Sequence, residues 1–149
     1  MADEVKFIIS SFETRQPLPY ADGGVHAGFP SPAQDYVDLQ LDFNRDIIRH
    51  PEATFYARVM GNSMIEAGIM PGDLVCIDRS ITPSDGCIAV CFYDGEFTLK
   101  QLDYSRQAEG IIILRPRNAD YQPITVRPTD NFEVWGVVSH AIHSFVRKD

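Results

Sequence analysis

The sequence predicts a mostly β protein: a single compact domain on a curled or barrel-like sheet, with a short helix and an extended N-terminal arm. Three observations lead there. Short runs of β-branched and aromatic residues, separated by turn residues, recur from Ala53 onward. Asp94-Gly95 sits between two such runs, the strongest short signal for a β-hairpin. The 149 residues are 44% hydrophobic and 23% charged, which supplies one domain's core and argues against wholesale disorder.

Taken in order, Val5, Phe7, Ile8, Ile9 and Phe12 make one short strand. Gln16 to Pro30 then carries three prolines and three glycines, too many for a helix or a central strand. Residues 1–30 are therefore expected to form an extended arm open to proteolysis or rearrangement, and residues 31–149 the β domain. Ser31-Pro32 reads as a helix start, with Ser31 at the N-cap and Pro32 at N1, running to about Leu39. Asn44–His50 reads as a second helical turn stopped by Pro51. Strands are expected at Thr54–Met60, Asp73–Asp78, Gly86–Tyr93, Glu96–Asp103, Ile111–Arg115, Ile124–Arg127 and Phe132–Val146. Their order in the sheet is not readable.

Composition and motifs remove several function classes. Acidic residues outnumber basic ones 21 to 13, a net charge of −8, which disfavours direct binding to nucleic-acid phosphate. Apolar runs such as Ile111–Leu114 are too short to span a bilayer, and the acidic start Met1-Ala2-Asp3-Glu4 has the wrong charge for a signal or transit peptide. A cytoplasmic protein is expected. Cys76, Cys87 and Cys91 make no disulfide framework, and Cys87-x3-Cys91 is not a usual zinc spacing. All three read best as small buried apolar groups, with Cys87 and Cys91 on one strand face. His140 and His143 fall on opposite strand faces with no carboxylate cluster, so neither a metal nor another cofactor is expected. Walker A, Gly-x-Gly-x-x-Gly and Gly-x-Ser-x-Gly patterns are absent.

Two residues remain as candidates for chemistry. Ser63, in Gly61-Asn62-Ser63-Met64, follows a strand and precedes a helical turn over Ile65–Ile69. That position suits a nucleophile beside outward-pointing backbone N–H groups, and equally an N-cap, which ranks ahead on this motif alone. Lys100 shares an alternating face with Glu96, Thr98 and Leu102, opposite Phe97, Leu99 and Gln101. The default place for such a lysine is the solvent face of a hairpin.

Several spaced motifs together resemble the self-cleaving Ser-Lys peptidases of the LexA/UmuD type, peptidase family S24. They are Gly61-Asn62-Ser63-Met64, Gly68-Ile69-Met70-Pro71-Gly72-Asp73-Leu74 and Asp94-Gly95-Glu96-Phe97-Thr98-Leu99-Lys100, with serine and lysine at the family's separation. Ala27-Gly28 resembles the bond these proteins cut in themselves, and Ala27 to Ala33 with Trp135-Gly136-Val137-Val138 resembles the UmuD branch. UmuD proteins can carry Cys-Gly at that bond; Ala-Gly here is as in LexA and presents an equally small residue. The residues before Gly28 are neither helical nor basic, so the DNA-binding domain of a repressor is not expected.

The resemblance implies a LexA-like C-terminal peptidase fold and a set of roles. Ser63 is the nucleophile, Lys100 the general base, and the backbone N–H groups of Ser63 and Asn62 the oxyanion hole. A lysine accepts a proton only when neutral, so Lys100 is expected to be desolvated despite its polar-face neighbours. Gly28, without a Cβ, lets the backbone enter a narrow cleft or reads as a flexible turn. Ala67–Asp73 either shapes a wall near Ser63 or is a structural turn. The resemblance further implies cleavage stimulated by a RecA filament on single-stranded DNA. The truncated homodimer would then serve a UmuC-like Y-family polymerase in translesion synthesis, with Trp135, Val138 and Phe145 as candidates for the dimer surface and core packing ranked first for Trp135. Two rival readings stand beside this: a non-catalytic β interaction module, and a signal-peptidase-like enzyme acting on other proteins.

Overall fold

A computed structural model describes residues 5–8, 17–20, 39–42 and 46–146. The chain divides into two compact units, residues 11–52 and residues 1–10 with 53–149. The larger unit carries eight described strands: β1 (Val5–Ile8), β4 (Thr54–Val59), β5 (Leu74–Asp78), β6 (Ile88–Tyr93), β7 (Glu96–Asp103), β8 (Ile112–Arg115), β9 (Ile124–Val126) and β10 (Phe132–Ile142). They form one antiparallel sheet in the order β1-β4-β5-β10-β6-β7-β8-β9. The sheet curls into a half-barrel. Phe7 on β1 meets Phe97 on β7 edge-on, ring centroids 5.0 Å apart, although four strands separate them in the sheet. The mostly β, curled fold is the one the sequence predicts.

Both faces of the middle strands are covered. Val59, Met64, Val75, Ile77, Val90 and Leu99 belong to one buried cluster. Ala89, Cys91, Leu102, Leu114 and Val126 make the other. Strand β6 contributes to both by alternation, Val90 to one and Ala89 and Cys91 to the other. That is why β6 reads as a near-continuous apolar run. Trp135 packs in the first cluster between Phe7 and Phe55, at 4.6 and 5.1 Å between centroids.

The β6–β7 hairpin has the predicted two-residue loop. Tyr93 pairs with Glu96, and Asp94 (φ 50°) and Gly95 (φ 86°) are both left-handed, as a type I′ turn requires. Strand β10 lies between β5 and β6 and shifts register at Val134/Gly136 and Val138/His140. Gly136 is fixed by close approach: a Cβ there would lie 2.5 Å from Ile77 Cγ2 and 3.2 Å from Arg79 Cγ.

In the smaller unit, β2 (Pro17–Tyr20) and β3 (Leu39–Asp42) form an antiparallel pair, Leu18 opposite Leu41. The sequence predicts an extended arm with no helix or central strand over residues 16–30; the pairing of Pro17–Tyr20 with Leu39–Asp42 is not readable from it. The prolines of β2 occupy alternate positions, so donors are missing from one edge only, which a strand with one neighbour tolerates. Leu39, expected to end a helix, begins β3; the rest of that helix, and the Ala27–Gly28 bond, lie outside the described residues. Of the turn expected at Asn44–His50, Asp46 and Ile47 are helical, and Pro51 then opens a 3-10 turn, Pro51–Ala53, instead of only stopping one.

Candidate active site

Ser63 lies in the connection from β4 to β5. A 3-10 turn, Ile65–Ala67, follows it and ends on Gly68 in the left-handed conformation. Pro71-Gly72-Asp73 then closes the hairpin, with Gly72 N–H donating to Val59 C=O and Val59 N–H to Asp73 C=O. The residue at the cap of the 3-10 turn is Met64, with no side-chain capping bond. The N-cap reading of Ser63 is therefore corrected: the serine stands one residue too early to cap, and its hydroxyl turns to β7.

The sheet leaves room there. Strand β8 pairs only with Gln101, Leu102 and Asp103 of β7. Leu102 bonds its backbone to Gly86 and Cys87 on the β6 side. Leu99, an odd number of residues away, turns its carbonyl to the opposite edge, upstream of the point where β8 departs. Ser63 Oγ donates to this carbonyl at 3.4 Å. Ser63 C=O in turn accepts Arg117 N–H at 2.7 Å, just past the end of β8. The serine thus fills the notch between β7 and the chain leaving β8.

Lys100 meets it. Lys100 Nζ lies 3.2 Å from Ser63 Oγ, 2.8 Å from Thr98 Oγ1 and 3.2 Å from Leu99 O. Ser63 is 1% exposed and Lys100 2%. The solvent-face reading of Lys100 is corrected as well. Thr98, Lys100 and Leu102 are all buried, because this face of β7 carries the second core cluster. Alternation assigned the face correctly; it could not say that both faces are covered. An amine 3.2 Å from a serine hydroxyl lies within hydrogen-bond reach of the proton that a general base would take.

A clamp from the loop after β8 was not signalled by the sequence. Asn118 Nδ2 donates to Asn62 C=O at 2.9 Å, and Tyr121 Oη donates to Asn62 Oδ1 at 2.5 Å. Glu66 N–H donates to Arg117 C=O, and Glu66 Oε2 accepts Ala119 N–H at 2.9 Å. No local pattern marks these residues, since the Asn62 bonds join positions 56 and 59 apart. An open pocket of about 230 Å³ adjoins the clamp, lined in part by Glu66, Arg117, Asn118 and Tyr121.

The cysteines and histidines lie elsewhere in chemical character. All three cysteines are free thiols. Burial pushes the Cys76 thiol up to about 11 and the Cys91 thiol up to about 12. Cys87 and Cys91 pack in the same cluster. His143 lies beyond the end of β10, with Nδ1 2.5 Å from the buried Asp73 carboxylate; this is one carboxylate and not a cluster. Among the described residues no group of three or more His, Cys, Asp or Glu side chains could hold a metal ion. No described helix is long and apolar enough to cross a membrane.

A curled β domain that brings a serine of the β4–β5 connection into contact with a lysine of the interior strand β7 has the features of a serine peptidase family. The chain belongs to the Peptidase S24-like family, whose model matches residues 19–139. Within that family it is of the UmuD type. It is 42% identical to protein ImpA of Salmonella typhimurium over 123 residues, 78% of this chain and 77% of the relative. It is 38% identical to protein MucA of Escherichia coli over 132 residues, 84% of each chain. LexA repressor 1 of Geobacter sulfurreducens is 37% identical over 121 residues, but these cover 57% of the repressor.

Proposed function

We propose that this chain cuts itself between Ala27 and Gly28, with Ser63 as nucleophile and Lys100 as general base. The observation that carries the proposal is the 3.2 Å approach of Lys100 Nζ to Ser63 Oγ, both nearly withdrawn from water. Neutral Lys100 takes the proton of Ser63 Oγ as this oxygen bonds to the carbonyl carbon of Ala27. The backbone N–H groups of Ser63 and Asn62 stabilise the oxyanion. The protonated lysine then gives its proton to the nitrogen of Gly28 as the peptide bond breaks. Water, deprotonated by Lys100, releases residues 1–27 from the serine, and Gly28–Asp149 remains.

Membership of the UmuD-type group supports the wider role. In the cytoplasm, a RecA filament on single-stranded DNA favours the state in which the arm, residues 1–30, occupies the site of the β domain, residues 31–149. The shortened protein acts as a homodimer, an accessory to a UmuC-like Y-family polymerase in mutagenic DNA repair. The test is incubation of the purified chain at neutral pH with RecA, single-stranded DNA and ATP. Gly28–Asp149 should accumulate from the wild type and not from Ser63→Ala. An inert wild type under these conditions and at alkaline pH favours the non-catalytic interaction module instead.

A further inference from the structure

We infer that Asn118 is a positioning residue for the oxyanion donor: its side-chain amide sets the plane of the peptide between Asn62 and Ser63. The inference rests on the reading of Ser63 as nucleophile given above. Asn118 is buried, 8% exposed, in the loop after β8. Its Nδ2 donates to Asn62 C=O at 2.9 Å, and its Oδ1 accepts Asp120 N–H at 2.9 Å. A peptide carbonyl only accepts and a peptide N–H only donates, so the two partners leave the amide one orientation.

The consequence for Ser63 follows from peptide geometry. The peptide is planar, and among the described residues none is cis, so Asn62 C=O and Ser63 N–H point in opposite directions. A bond that fixes the carbonyl therefore aims the N–H. The next peptide plane is held too, by Arg117 N–H donating to Ser63 C=O at 2.7 Å. Tyr121 Oη anchors the Asn62 side chain beside them. Donors already aimed at the developing charge need no rearrangement as the bond forms, which is where such groups gain their effect. The β4–β5 connection is irregular and contains no element long enough to hold this plane by itself. The loop after β8 supplies the hold from across the sheet.

The experiment follows self-cleavage as a first-order rate between about pH 7 and 10 in the wild type, Asn118→Asp and Asn118→Ser. Aspartate has the same shape, keeps the acceptor for Asp120 N–H and sets an oxygen against Asn62 C=O. The rate is expected to fall roughly 10- to 100-fold in both variants, part of the roughly 100- to 1,000-fold lost when an oxyanion donor is removed outright. The pH profile is read in Asn118→Ser, which adds no charge near the lysine; there the factor should be the same at every pH, because the base is untouched. A merely structural role would disturb the surroundings of Lys100 and displace the pH profile. Rates within twofold of wild type, or a displaced profile, overturn the inference and leave Ser63 and Lys100 in their roles; a wild type that never cuts itself overturns both. Should Asn118→Asp fail to fold, the Ser63 amide resonance of Asn118→Ser in a Lys100→Ala background decides. A shifted resonance is expected, and an unmoved one is contrary.

Discussion

Lys100 reaches Ser63 from the strand that also holds the serine's other partner: Leu99 C=O accepts from both Ser63 Oγ and Lys100 Nζ. One backbone carbonyl thus fixes hydroxyl and amine together. Its availability depends on β8 pairing only with the last three residues of β7.

Replacement of Lys100 by methionine, similar in length but without the amine, should abolish self-cleavage and leave the fold no less stable than the wild type. Burying an amine costs free energy that an apolar side chain of similar volume does not. Thermal unfolding of Lys100→Met beside Ser63→Ala checks this. A large fall in Tm for Lys100→Met would mean that the lysine is chiefly a structural tie.

Gly136→Ala should destabilise the domain by about 1–3 kcal/mol, the usual cost of forcing an added methyl into a packed core. The added carbon meets Ile77 Cγ2 at 2.5 Å, and Ile77 is fully buried on β5, so neither strand can yield easily. Urea unfolding should show a lower midpoint with an unchanged slope.

Cys76 and Cys91 should resist alkylation in the folded protein at pH 8. With thiols held near 11 and 12, roughly a thousandth or less of either is thiolate there. The same shifts carry a pH dependence. Both thiols are raised above the ordinary value of 9.0, so their favourable contribution is complete below about pH 9 and is lost as pH climbs toward 11 and 12. The urea midpoint should therefore fall between pH 8 and 10.5, and peptide mapping after iodoacetamide at pH 8 should find Cys76 and Cys91 unlabelled until the protein unfolds.

Legibility in the sequence tracked the range of the forces involved. The hairpin at Asp94-Gly95 was readable because two residues impose their own backbone conformation. Strands β4 to β8 and β10 were readable from β-branched and aromatic runs. The Ser63–Lys100 contact was suggested by resemblance, while local pattern pointed to a cap and a surface lysine. Pattern failed there because the face of β7 that carries Lys100 also carries Leu102 of a buried cluster drawn from β6, β8 and β9, a matter of sheet order. Asn118 and Tyr121 left no signal, since each acts through a bond to a residue more than 50 positions away. The β2–β3 pair was missed because two prolines outweighed the pairing that only Leu39–Asp42 reveals.

The most direct measurement of the central claim is intact-mass spectrometry of the purified chain after incubation at pH 7 and pH 10, beside Ser63→Ala and Lys100→Ala. Alkali raises the neutral fraction of the lysine without any filament. A Gly28–Asp149 fragment from the wild type alone, forming faster at pH 10, is the predicted result. The same fragment from Lys100→Ala at the wild-type rate, or no fragment from the wild type at either pH or with RecA filament added, would contradict it.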